Sequence, residues 1–259
     1  MTSQPASALK APTELQWDDR LPAKERAAFA TWNARIARLN EARAVEINLS
    51  GPFLKSKIAW KLATYQHALL HRVVALADGV AVNWNGRSVL GAMLCARALM
   101  ETIAVLSFVE RSAAALYERE DLGGLDALGQ NGTFATRDES LLKEFPESKA
   151  TNILTYVKRF DEKILPGFSE HYDCLSERCH PNASGHYFMF AKLNQDEGRT
   201  SYCDDAAPQR HTGLILAALA VMPLVESMNA RMNALVIKIA DLQHRLASVP
   251  DDAQSDGAE

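Results

Sequence analysis

The sequence predicts an all-α protein, a helical bundle of five or six helices with room for one small β-hairpin. Three observations lead there. Apolar residues recur at spacings of three and four through most of the chain, and the run Val89 to Val109 is apolar on nearly every side. Only Gly185 to Cys203 shows two β-prone patches about a polar turn. With 259 residues, 47% hydrophobic and 23% charged, the chain has an ordinary globular composition and can bury a substantial core. The expected organisation is a disordered N-terminal segment over residues 1–20, a single helical domain over 21–247, and a disordered acidic tail over 248–259.

The first helix follows Pro22, a residue suited to a first turn, with Phe29, Trp32, Ile36 and Leu39 on one face; Ser50-Gly51-Pro52 ends it. A second stripe runs through Ile58, Leu62, Tyr65, Leu69, Val73 and Leu76, and Asn83 to Gly86 mark the turn that closes it. The third helix, from about Arg87 to about Glu120, has the pattern of an element surrounded by others. Asp121 to Ser140 is rich in glycine and turn formers and reads as a loop with at most short helical pieces. Ser148 to Ile164 resumes a helical period until Pro166 and Gly167. Phe168 to Asn182 forms a short helix with Phe168, Tyr172, Leu175 and Cys179 on one face, and Pro181 fixes His180 near its C-terminal end. A long last helix, Arg210 to Leu246, is expected to kink near Pro223, whose ring removes a backbone donor and crowds the preceding turn.

The net charge of −4 gives no global pull toward nucleic acid and disfavours a reader of DNA grooves. No long apolar run follows a basic start at the N-terminus, so a secretory signal is not expected and the cytoplasm is the default location. Cys95, Cys174, Cys179 and Cys203 form no C-x-x-C pair and read as reduced thiols. The longest charge-free apolar run, Gly213 to Val225, falls short of the roughly 18 residues of a transmembrane helix, so no membrane partner is expected. Phosphate loops, nucleophile elbows and H-E-x-x-H motifs are missing from the sequence.

Arg97 and Glu101 stand one turn apart inside the most apolar segment. Buried charge left unpaired costs several kcal/mol, so more polar groups should face this helix. The candidates are Tyr172, Ser176 and His180, at spacings of four along one edge of the later short helix. An imidazole at a helix C-terminus has its protonated form favoured by the free carbonyls there. Facing an arginine and a carboxylate, it supplies the parts of proton transfer beside an anionic transition state. The same five residues also read as a satisfied core network that only fixes helix register.

The R-x-x-x-E of the core helix (Arg97, Glu101), paired with the later Y-x-x-L-S-x-x-x-H-P (Tyr172 to Pro181), resembles an uncharacterised, mostly bacterial all-helical family of unknown function. The helical core of that family is similar to that of the HEPN (higher eukaryotes and prokaryotes nucleotide-binding) superfamily, and the motif-bearing part covers about Arg87 to Asn182. The resemblance implies a HEPN-like core, a homodimer, and a metal-independent RNA endonuclease or RNA-binding protein of a bacterial stress or defence system. HEPN nucleases commonly set an arginine four to six residues before a histidine on one helix, and none of the seven histidines here has that neighbour. The resemblance then implies Arg97 acting from a different helix, His180 as general acid or base, and Glu101 orienting one of them. The RNA 2′-hydroxyl would be the nucleophile, with no metal or other cofactor. A non-catalytic helical protein-interaction module is the alternative.

Two metal constellations are weaker. His67, His71 and Asp78 share one helical face but make an incomplete ligand set. Glu177-x-x-His180 and Asp241-x-x-His244, with Glu101 and Glu226, faintly resemble a di-iron bundle but lack its second Glu-x-x-His. Arg26, Arg35, Arg38 and Arg43 alternate with acids in the manner of a solvated face. Tyr187, Phe188 and Phe190 are aromatics that could stack on bases or cover a core.

Overall fold

The computed structural model describes residues 9–18, 21, 23 and 26–248. Helices run over Arg26–Glu41 (α1), Lys57–Asn85 (α2), Val89–Glu118 (α3), Leu122–Thr133 (α4), Glu139–Glu144 (α5), Ile153–Lys163 (α6), Phe168–Cys179 (α7), the single turn Phe188–Phe190 (α8), Pro208–Leu219 (α9) and Met222–Ala247 (α10). Strands Ala191–Asn194 (β1) and Arg199–Tyr202 (β2) pair antiparallel, Ala191 opposite Tyr202. The chain is thus mostly helical with one hairpin, and its helices outnumber the five or six expected. Contacts divide it into two compact units: Met1–Val45, Ala68–Phe108 and Asn152–Met228, and Glu46–His67, Val109–Thr151 and Asn229–Glu259.

In the first unit, Phe29, Ile36 and Leu39 of α1 are buried as their spacing predicts, but the helix stops at Glu41, short of Ser50. Pro22 lies outside the described residues. Along Ala68–Phe108, Leu69, Leu70, Val73, Ala77, Val80 and Trp84 of α2 and Met93, Leu99, Met100 and Ile103 of α3 are buried. Asn152 caps α6 through Leu154 N, and Gly167, in the left-handed region at φ 88°, joins α6 to α7. Phe160 and Phe168, with ring centroids 4.4 Å apart, hold α7 on α6, and α7 also packs on α9. Residues 9–18 of the N-terminal segment make contacts with two helices. They lie extended against α1 and α2, with Leu15 buried among them, because side chains of both helices satisfy their backbone. The tail beyond Ser248 lies outside the described residues.

In the second unit, Asp121 to Ser140, expected as a loop with at most short helical pieces, instead carries the three-turn helix α4 and the start of the short α5. Asp121 caps α4 by accepting from Gly124 N at 2.8 Å, and Asp138 caps α5 through Ser140 N and Leu141 N. The glycines of α4 serve close packing: a Cβ on Gly129 would sit 3.1 Å from Lys61 Cβ, and one on Gly132 would fall 2.1 Å from the Tyr65 ring. Glycine therefore loses helix propensity here but lets two helices touch along their backbones. Lys61 reaches across to Asp126 at 2.7 Å, and Gln66 of α2 donates to the Asn229 and Asn233 side chains of α10 at 2.8 and 2.6 Å.

The expected continuous C-terminal helix is instead broken at Ala220 and Val221. Pro223 opens α10, and its missing N–H and its ring exclude a helical bond to the Leu219 carbonyl, where α9 ends. Val89–Glu118 and Pro208–Ala247 are long and apolar enough to cross a membrane by length and composition, a test that core helices also pass.

Candidate functional site

The first unit brings α3 and α7 together through polar groups. Tyr172 lies on the buried edge of α7 with Phe168 and Leu175 because the three repeat at helical spacing. Its hydroxyl donates to Glu101 Oε1 at 2.8 Å and accepts from Arg97 Nη2 at 3.3 Å. Arg97 Nε stands 3.3 Å from the same carboxylate oxygen, an ion pair by distance whose angle does not make a hydrogen bond. The guanidinium also lies 5.6 Å from the Tyr172 ring centroid. Arginine, tyrosine and glutamate thus close a cycle. It is only partly shielded, since the Arg97 and Glu101 side chains keep 25% and 22% of their exposure.

Electrostatics at this cycle favour fixed charge states. Burial opposes charging of Arg97, but the Tyr172 hydroxyl and the Glu101 carboxylate outweigh it and hold the guanidinium above its ordinary value. Burial raises the Tyr172 phenol, with Arg97 pulling it down and Glu101 pushing it up. Cys179, two turns further along α7, is near enough to feel both charges, and burial pushes its thiol up to about 11. All three shifts favour the form each group holds at neutral pH: a charged guanidinium, a neutral phenol and a neutral thiol.

His180 does not join the network. Pro181 excludes helical geometry at the preceding residue, so His180 takes φ −87° and ψ 149° and leaves α7 with its ring exposed. Its backbone N–H still caps the helix on the Ser176 carbonyl at 3.2 Å. Among the described residues no hydrogen bond or ion pair links the His180 ring or the Ser176 hydroxyl to Arg97 or Glu101. The chain past His180 is held instead by Asn182, which accepts from Gly185 N, and by Gly185, where a Cβ would collide with the His180 carbonyl at 1.8 Å. Of the five predicted residues, the structure brings together Arg97, Glu101 and Tyr172, and adds Cys179.

No family model matches the chain, and no curated protein or solved structure matches it.

Two further polar sites escaped the sequence reading. A cavity of about 790 Å³ beside α7 is lined by Asp161, Glu170, Asp173, Glu177, Arg178 and Arg210 among others. Arg178 is buried, donates from Nη1 to the Cys174 carbonyl at 3.0 Å, and is pushed below its ordinary value by burial and by Arg210. Neither guanidinium forms an ion pair among the described residues. In the first turn of α9, buried His211 sits 2.7 Å through Nδ1 from Asp205 Oδ1, which also accepts from Ala207 N at 3.1 Å. Asp205 Oδ2 is buried without a partner. Spacing alone did not mark these groups, since Arg178 and Arg210 lie on different helices and Asp205 lies outside any.

The weak metal constellations do not assemble. His71 Nε2 lies 3.0 Å from the Ala44 carbonyl, Asp78 accepts from Thr13 N, Glu226 is paired with Arg35 and Arg38, and His244 Nε2 lies 2.6 Å from the Leu54 carbonyl. Among the described residues no three His, Cys, Asp or Glu side chains gather to hold a metal ion.

Proposed function

We propose that this protein is a non-catalytic helical interaction module in which Arg97, Glu101 and Tyr172 form a structural fastening between α3 and α7. The observation that carries this reading is the closure of the cycle: the Tyr172 hydroxyl of α7 donates to Glu101 and accepts from Arg97, and the two charges of α3 pair with each other. A buried network satisfied in this way fixes which faces of two helices meet. Tyr172→Phe removes a hydroxyl bonded to two charged groups and is expected to destabilise by about 2 kcal/mol in urea unfolding. An unchanged midpoint would contradict the fastening.

A second reading keeps the HEPN-like core and RNA as substrate or ligand, in a metal-independent endonuclease or RNA-binding homodimer of a bacterial stress or defence system. The observation favouring it is the Arg178 and Arg210 pair, two guanidiniums on one cavity without ion-pair partners, a chemistry suited to phosphate. Four carboxylates on the same cavity oppose a polyanion. Labelled RNA incubated with the protein in EDTA separates the two. The interaction-module reading predicts no cleavage and no binding that survives 200 mM salt, whereas the RNA reading predicts cleavage that His180→Ala or Arg97→Ala abolishes or, for RNA binding alone, retention at that salt.

A further inference from the structure

Residues 9–18 have no hydrogen-bond ladder of their own, yet between Thr13 and Gln16 most backbone groups are paired, as in a strand of a sheet. The partners are side chains. Asn33 of α1 accepts from Leu15 N at 2.9 Å and donates to Leu15 O at 3.0 Å, the reciprocal pair that a neighbouring strand would make. Asn85 of α2 does the same one step along, accepting from Gln16 N at 3.0 Å and donating to Glu14 O at 2.8 Å. Trp84 Nε1 donates to Gln16 O at 2.8 Å, and Thr13 N donates to Asp78 Oδ1 at 2.6 Å. Two helices therefore present a row of amide, indole and carboxylate groups to an extended chain. The side-chain requirement is slight by comparison: within Thr13 to Gln16, Leu15 alone is buried, at 3% exposure.

Such a surface recognises polypeptide backbone, with one apolar pocket setting register. It also leaves space. A cavity of about 230 Å³ remains between Ala11, Pro12 and Thr13 of the segment and Ile36, Ala37 and Asn40 of α1, enough for larger side chains than the segment supplies there.

We propose that the α1/α2 groove is a binding site for an extended polypeptide segment with a leucine-type anchor, occupied in cis by residues 11–17 as a built-in competitor. The partner is a segment of another protein chain with the same pattern, an apolar anchor in extended backbone with bulkier residues two to four positions before it. This inference rests on the interaction-module reading and names its partner class. Its failure is distinguishable from failure of that reading, because the unfolding test of Tyr172→Phe makes no use of the groove.

The test uses the full chain and a fluorescein-labelled peptide with the sequence of residues 9–18, LKAPTELQWD, followed by anisotropy. A tethered competitor acts at an effective concentration of about millimolar. Wild type should therefore bind the peptide at least about tenfold more weakly than Leu15→Asp, whose own segment cannot seat its anchor. Gln16→Pro, which removes the donor to Asn85, provides a second released form should Leu15→Asp fail to fold as judged by circular dichroism. Adding Asn85→Ala to either released form should lower peptide affinity, and a peptide carrying aspartate in place of leucine should not bind. Equal peptide affinity for wild type and both released forms would overturn the proposal. So would peptide binding to a folded released form that is absent at millimolar peptide or indifferent to Asn85→Ala.

Discussion

Tyr172 decides what Arg97 and Glu101 can do. Without its hydroxyl the two charges would share a single poorly angled contact in the unfavourable order, base before acid along the helix. With it, each charge has a partner on another helix, and the displaced acidities make the cycle an alkaline liability. The Cys179 thiol, ordinarily near 9.0, is raised to about 11 in the folded protein. The folded state therefore holds this proton more tightly than the unfolded state, so the contribution is fully present below about pH 9 and is lost as pH rises through about 11. Tyr172 and Arg97, also raised, have the same sign. Urea midpoints measured from pH 7 to 11 should fall above pH 9, and less steeply in Cys179→Ala. Iodoacetamide should label Cys179 slowly at pH 7.5 relative to an unfolded control, since the thiolate is the nucleophile. Rapid labelling would show that burial does not protect the thiol.

At the scale of elements, glycine has two opposite meanings along α4. Gly132→Ala forces a methyl onto the Tyr65 ring, and overpacking of this kind costs about 1 to 3 kcal/mol. Gly123→Ala, at an exposed position with only the Asp121 cap at 3.7 Å, gains up to about 1 kcal/mol of helix propensity. Thermal melts of the two variants should move in opposite directions; a rise in both would mean that α4 does not pack closely on α2. The same contrast explains which elements were legible in the sequence. The stripes of α1, α2, α6 and α7, the hairpin and the end of α7 at Pro181 follow from local periodicity and punctuation. Helix α4 did not, because its glycines look like loop composition until the Tyr65 and Lys61 surfaces are known. The break between α9 and α10 was placed near the right proline but expected as a kink. The contacts of residues 9–18 are not legible locally either: they are made with Asn33, Trp84 and Asn85, and nothing in LKAPTELQWD announces partners elsewhere in the chain.

For the whole molecule, burying the charges of α3 correctly required Tyr172 to meet them, a demand of desolvation that the sequence expressed. It did not require His180, because a proline-terminated helix directs its last residue by backbone geometry and not by the needs of a distant charge. With a net charge of −4 and four carboxylates on the cavity that holds Arg178 and Arg210, the chain should retain RNA weakly, with binding that disappears as salt is raised from 50 to 200 mM. Tight retention at the higher salt in a filter-binding assay would favour the RNA reading. The claim on which the account turns is that Arg97 and Glu101 are structural partners. A double-mutant cycle in urea unfolding with Arg97→Met, Glu101→Leu and both together measures it most directly. The account predicts that each single change destabilises by about 2 kcal/mol, and that the double is less damaging than their sum by at least about 0.5 kcal/mol, because removing both charges leaves neither stranded. Single variants as stable as wild type, or losses that simply add, would contradict it.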